Sequence, residues 1–140
     1  MTPQDSFFTS DRSGVYGVAG DTAKLRAAAA RAGLAWFSVD LSGARDKLSL
    51  LEALAKDLAF PSSFGKNWDA LADALQDFSW KPASGYVVEV CHARACAAAL
   101  SHDWPIALVI FRDAAAYWSE HGKSFIALIR EAANLPAFPA

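Results

Sequence analysis

Cysteine is nearly absent from this chain: two of 140 residues, Cys91 and Cys96, too few for a disulfide framework. Both are expected to be reduced, partly buried thiols in a reducing compartment. An excess of one charge is missing as well, because 13 basic residues stand against 15 acidic ones, a formal net charge of −2. That balance argues against direct binding of nucleic acid by a cationic surface, and against a polybasic protein resting on a membrane. No run reaches the ~18 consecutive apolar residues of a membrane span. Residues 1–13 carry Asp5 and Asp11 and lack the basic start and apolar stretch of a signal peptide. The expected location is therefore cytoplasmic. Internal repeats and low-complexity linkers are also lacking, and only 4 of the 15 acids are Glu, the other 11 being Asp.

What the chain does have is apolar mass, 54% of residues, of which 30 are Ala. At this length it can bury a core without metal or disulfide support. Residues 1–13 read as a flexible lead-in. Gly14 to Val18 reads as a short strand, and Asp21-Thr22 as the cap of an alanine-rich helix that stops at Gly33. Leu34 to Leu41 (LAWFSVDL) has strand composition. Arg45 to Leu58 places Leu48, Leu51, Leu54, Ala55 and Leu58 at helical spacing, which predicts one buried face. A helix is expected from Asn67 to about Asp77, a strand from Tyr86 to Val90, a helix from Ala93 to Leu100, and a strand from Phe125 to Ile129. Pro105 to Ser119 is ambiguous: IALVIF has strand composition, yet Pro105 suits a helical first turn, and Ile106, Ile110, Ala114, Tyr117 and Trp118 form a helical stripe. Strands alternating with helices predict an α/β domain of two or three layers, with a small, mainly parallel sheet of three or four strands packed by helices.

Residues 60–80, FPSSFGKNWDALADALQDFSW, depart from this generic pattern. A Pro/Ser/Gly loop delivers Phe64 and Gly65 into a helix whose apolar contacts would come from Trp68, Leu71, Ala72 and Leu75. Asp69, Asp73 and Asp77 recur at i, i+4 and i+8, stacked on one face. Like charges so placed destabilise a helix by roughly 0.2–0.5 kcal/mol per pair, and Asp is a poor helix former. From Asp57 to Ser79 the chain holds four Asp against Lys66 alone. A solvated face accounts for such a stack by itself; an acidic surface beside a rigid aromatic loop also suits an interface for a cationic partner.

The run Phe60-Pro61, Phe64-Gly65, Asn67, Asp69-Ala70-Leu71, Asp73 and Leu75 resembles the central loop and helix of the barstar family, intracellular inhibitors of a secreted bacterial ribonuclease. Val87 to Val90, Phe111-Arg112-Asp113-Ala114 and Phe125 to Ile129 extend the resemblance over about residues 34–130. Residues 14–33 are then a strand-and-helix extension, and residues 131–140 a tail. The resemblance implies a helix for Pro105 to Ser119. It also implies a non-enzymatic protein, expected to be monomeric and without cofactor or metal. Such a protein would block a small basic ribonuclease by covering its active site. By that resemblance Asp69 and Asp73 hold the central contacts, Asp113 stands where the family has Glu, and Phe64, Gly65 and Asn67 shape the loop. Trp68 and Ala72 complete the partner-binding set. The family's paired Tyr is Ser63-Phe64 here, its helix Trp corresponds to Ala72, and Asp113 is one methylene shorter than Glu.

Two other readings stay open. A barstar-like fold could bind a partner that is not a nuclease. Asp69 and Asp73, one helical turn apart, could share a metal in an Asp-based hydrolase, although no neighbouring base or nucleophile completes such a site. Cys91, His92, Cys96 and His121 match no usual zinc spacing. His102 is expected in an exposed loop, Trp36 and Trp118 in the core, and the apolar tail segments around Phe8 and Phe138 packed on the domain.

Overall fold

Four segments rich in β-branched and aromatic residues form strands, and helices lie in every connection between them. A connection of that length favours parallel pairing. In the computed structural model, which describes residues 7–132 and 134–139, a 3-10 turn at Ser10–Arg12 leads into β1 (Gly14–Val18), α1 (Ala23–Arg31) and β2 (Leu34–Asp40). There follow α2 (Lys47–Asp57), α3 (Trp68–Leu75), β3 (Gly85–Cys91), α4 (Ala93–Ala99), α5 (Asp103–Glu120) and β4 (Ser124–Arg130). The sheet has the order β1-β4-β3-β2, and every pair is parallel. This is an α/β fold with four parallel strands and five helices.

The central strands β3 and β4 are buried along almost their whole length, as expected of parallel strands covered on both faces. Alternation along the pleat divides their side chains into two cores. Tyr86, Val88, Val90, Phe125, Ala127 and Ile129 face the larger one, where Leu50, Leu54, Leu71, Leu75, Ala107 and Phe111 of α2, α3 and α5 meet them. Val87, Ile126 and Leu128 face the smaller one, under Ala28 and Ala29 of α1. The layering is thus three deep, with one helix on one face and four on the other. Between β3 and β4 the backbones come close at Gly85, where a Cβ would lie 2.8 Å from the Ser124 carbonyl oxygen; this accounts for a glycine at the start of a central strand.

Residues 14–33 are integral to this sheet. At its β1 edge the chain's own tail closes the ladder: the Gly17 amide donates to the Pro136 carbonyl at 2.8 Å, and the Phe138 amide to the Gly17 carbonyl at 3.3 Å. The Phe138 ring lies 5.7 Å from Phe8 and 5.2 Å from Tyr16, so both apolar tail segments pack on the domain. At the carboxyl ends of β3 and β4, Arg130 donates to the buried Glu89 at 3.1 Å and to the Gly20 carbonyl at 2.8 Å. The Thr22 hydroxyl donates to the same Glu89 oxygen at 2.8 Å. A buried carboxylate with two donors, one of them cationic, fixes the turn between β1 and α1.

Several expectations are corrected. Leu48 is not on the buried face of α2 but 53% exposed. Asp46 starts the helix, so that Leu50, Leu51 and Leu54 turn inward together. Trp36 is only half-buried, because it lies on the edge strand β2 and packs under the smaller core, whereas Trp118 is buried. The segment Pro105 to Ser119, ambiguous by composition, is helical throughout as the resemblance implies, within α5. Of its expected stripe Ile110, Ala114 and Trp118 are buried, while Ile106 and Tyr117 flank it half-buried.

Helix α2 ends in a turn where the Phe60 amide donates to the Ala55 carbonyl at 2.9 Å and the Ala59 amide to the Lys56 carbonyl at 3.3 Å. The motif requires a left-handed residue, and here it is Ala59, φ 56°, where glycine is usual. Ala59→Gly is therefore expected to stabilise the fold by about 1 kcal/mol, read as a higher midpoint in guanidinium unfolding. At the other end of α2 the Asp46 carboxylate accepts the Ser49 amide at 2.8 Å, and this bond, with the Ser49 hydroxyl, holds the carboxyl below its usual range. A depressed carboxyl favours the folded state above its unfolded pKa and loses that contribution as pH falls through the folded value. Acid titration of Asp46→Asn, which keeps an acceptor that does not titrate, should show a smaller loss of stability between neutral pH and about pH 3 than the parent.

Candidate functional site

The loop from Pro61 to Asn67 is short, and each of its turns has an identifiable fastening. The Phe64 amide donates to the Pro61 carbonyl at 3.0 Å. The Phe64 ring lies 4.9 Å from that of Phe60, which in turn meets Trp80 edge-on at 5.6 Å. Phe64 is thus half-buried, one side on this aromatic cluster and the other to solvent. Lys66 adopts φ 52°, a left-handed conformation that costs a non-glycine residue about 1 kcal/mol or more. Its ammonium reaches Glu52 of α2 at 3.7 Å.

Asn67 is the hinge of the arrangement. As N-cap of α3 its side-chain oxygen accepts the Ala70 amide at 2.8 Å, and its amide group donates back to the Gly65 carbonyl at 3.3 Å. A Cβ on Gly65 would stand 3.2 Å from that amide nitrogen and 3.5 Å from the Ala70 methyl. One side chain therefore fixes both the helix start and the loop before it.

On α3, Leu71 and Leu75 are buried, and Trp68 and Ala72 are half-buried against the larger core. The Lys47 ammonium sits 5.4 Å from the Trp68 ring. Asp69 and Asp73 project from the opposite face and are exposed, with no ion pair or side-chain hydrogen bond among the described residues. The expected third carboxylate of the stack is corrected: α3 stops at Leu75, with Gln76 as its C-cap. Asp77 lies in the following turn, where it accepts the Ser79 hydroxyl at 3.1 Å. The cause is Phe78, whose ring stacks on Tyr86 at 4.3 Å and on Phe37 at 5.5 Å. Burying it draws the chain off the helix axis through φ 50°.

Phe64, Gly65, Asn67, Trp68, Asp69, Ala72 and Asp73 thus share one continuous loop–helix unit. Asp113 belongs to a different element, exposed on the solvent side of α5 opposite its buried Phe111 and Trp118. Helix α5 is fastened to the end of α3 by the Trp118 indole, which donates to the Leu75 carbonyl at 2.8 Å. The alanines of α3 at positions 70, 72 and 74 are half-buried beside the two carboxylates.

Other polar constellations do different things. His92, φ 61°, approaches Asp40 with Nδ1 to Oδ1 at 2.8 Å; the Ser42 amide, and after it this contact, hold the Asp40 carboxyl below its usual range. This pairing was missed from sequence, because only the β2–β3 register brings residues 52 positions apart together. His121 turns its Nδ1 to the Tyr117 carbonyl at 2.7 Å. Burial pushes both the Cys91 and Cys96 thiols up, which disfavours the thiolate needed for a nucleophile or a metal ligand. No group of three or more metal-ligating side chains occurs among the described residues. His102 is exposed, as expected.

A family model described as Barstar (barnase inhibitor) matches residues 34–130. Among curated proteins none matches this chain closely enough to count as a relative.

Loss of the Asn67 side chain should loosen loop and helix together. Asn67→Ala is expected to cost about 1 kcal/mol in denaturant unfolding, and Asn67→Asp, which keeps the acceptor, much less. Faster amide exchange at Ala70 in the Ala variant is the local sign of the lost cap.

Proposed function

The chain belongs to the barstar family, and from that premise we propose that it inhibits a small basic ribonuclease by covering the enzyme's cationic active site with the Phe64–Asp73 surface. The observation that carries this reading is the pair Asp69 and Asp73, exposed one turn apart on α3 and unengaged by any cation among the described residues. An active site that binds RNA presents Arg, Lys or His to phosphate, and carboxylates can take the place of phosphate oxygens, accepting paired hydrogen bonds from a guanidinium.

The surroundings of the pair favour that use. Alanines at 70, 72 and 74 let a partner's backbone and side chains come close to α3. Lys66, the cation nearest in sequence, is drawn toward Glu52 and so does little to cancel the acidic field. Phe64 offers an aromatic surface already fixed by its neighbours, and a loop held in place loses little entropy on binding. Asp113 would add a third carboxylate from α5. Unscreened carboxylates also speed encounter with a cationic cleft, an effect that salt weakens.

In this proposal the chain acts as a cytoplasmic monomer and catalyses nothing; neither Asp69 nor Asp73 lines the cleft beside α4 and α5. One observation favours a second reading, a partner that is not a nuclease: Ser63 and Ala72 leave the surface poorer in aromatic anchors than the family pattern implies, and such anchors carry much of an interface's energy.

RNA-cleavage assays against a panel of small basic ribonucleases separate the two. Inhibition is expected for at least one enzyme, with 1:1 stoichiometry and an association rate that falls as salt rises. Asp73→Ala should weaken it by about 2–5 kcal/mol, roughly thirtyfold to several thousandfold, and Asp69→Ala in the same direction. No inhibition across the panel transfers the surface to a non-nuclease partner, and equal potency of Asp73→Ala removes α3 from the contact.

A further inference from the structure

A cleft lies on the other flank of α5, at the carboxyl end of β4, with a volume of about 460 Å³. That is within the usual range for a small-molecule site. It opens beside the ends of parallel strands, where α/β sheets commonly take their ligands. Its apolar lining includes Ala97 of α4, Trp104 and Leu108 of α5, Ile129 of β4, and Leu135. Trp104 and Ile129 are buried, so the floor is a continuation of the core.

Arg94 of α4 and Arg112 of α5 reach this cleft from two different helices. Both are exposed, and neither makes an ion pair among the described residues. Arg130 also lines it, but its guanidinium is engaged by Glu89 and by the Gly20 carbonyl. It is a fixed wall with its charge largely offset. Glu131 contributes one carboxylate to the lining, from a residue held at φ 60°. With Arg130 neutralised by Glu89, two cations face that one carboxylate, and the cleft retains an excess of positive charge over an apolar floor.

From this juxtaposition we propose that the cleft between α4, α5 and the end of β4 binds a small amphipathic anion. Its apolar body would lie against Trp104, Leu108 and Leu135, and its head between Arg94 and Arg112. A planar guanidinium from each side suits a head with two or more oxygens, carboxylate or phosphate alike. An uncharged apolar ligand would leave the arginines unused, and an inorganic anion would leave the floor wet. The site is separate from the Asp69/Asp73 surface, so its fate does not depend on the inhibitor reading.

Calorimetric titration of the full chain with octanoate, octyl phosphate, octanol and inorganic phosphate tests the proposal, with the Trp104 indole followed by NMR. Both amphipathic anions should bind, at least about tenfold more tightly than octanol or phosphate, and should shift the Trp104 signal; whichever binds more tightly identifies the head as carboxylate or phosphate. The double variant Arg94→Gln/Arg112→Gln, whose altered positions are on the surface, should retain its melting temperature within a few degrees and weaken octanoate binding tenfold or more. Octanol binding as tightly as octanoate, an unchanged double variant, an unmoved Trp104 signal during binding, or no binding of either amphipathic anion at millimolar concentration would each overturn it.

Discussion

A parallel sheet whose central strands are buried on both faces has to be covered twice, and most of this molecule follows from that constraint. β3 and β4 have apolar side chains on both sides of the pleat, so a helical layer on one face alone would leave Val87, Ile126 and Leu128 in water. Helix α1 supplies the second cover. It can do so only because β1 extends the sheet on the far side of β4, which makes the connection from β1 to β2 pass back over the sheet. The region before residue 34 thus completes the packing of strands that the family match begins to count only from residue 34. The Glu89–Arg130 pair and the tail on the β1 edge then fasten that cover, one at the carboxyl ends of the strands and one along the side.

With four helices on the opposite face, α3 is left short and well anchored. Its buried side, Leu71 and Leu75, is spent on the core; its two ends are fixed by Asn67 and by the Trp118 indole on Leu75. The chain on either side passes through left-handed residues, Ala59 and Lys66 before it and Phe78 after. None of these is glycine, so each conformation is held against its own preference by aromatic packing at Phe60, Phe64 and Phe78. A loop held in this way presents its outward side chains without having to be ordered by a partner, and what it presents is Phe64, Asp69 and Asp73.

Local signals in the sequence were enough for the elements that local signals govern. The helix start at Asn67, the stop at Gly33 and the strand composition of Tyr86 to Val90 all describe neighbours along the chain, and the structure has each of them where expected. Where a distant contact decided the outcome, the sequence was mute or misleading. The burial of Phe78 against Tyr86 and Phe37 cuts α3 short of Asp77, an event no helical period announces. Leu48 fits a periodic stripe as well as Leu50 does, and only the direction in which α2 packs tells them apart. Asp40 and His92 meet because two strands share a register. The arginine cleft draws on three elements and was not foreseen at all. The loop–helix unit was legible because its residues are contiguous, whereas Asp113 was assigned to the site by family resemblance rather than by any spacing.

The same division explains how a chain with a net charge of −2 carries two surfaces of opposite charge. Arg112 and Asp113 are consecutive on α5, yet a step of about 100° along a helix turns them to different flanks. Arg112 goes to the cleft with Arg94, Asp113 to the solvent side away from the core. Opposite charges kept on separate surfaces cancel in the total without cancelling in the field near each surface, since screening confines each to about 8–10 Å at moderate salt. Had the same residues been interleaved, Asp69 and Asp73 would have found intramolecular partners, and a cationic protein would have had to displace them. Segregation leaves the carboxylates of α3 hydrated and unpaired, which is the state in which they can meet a cation from outside.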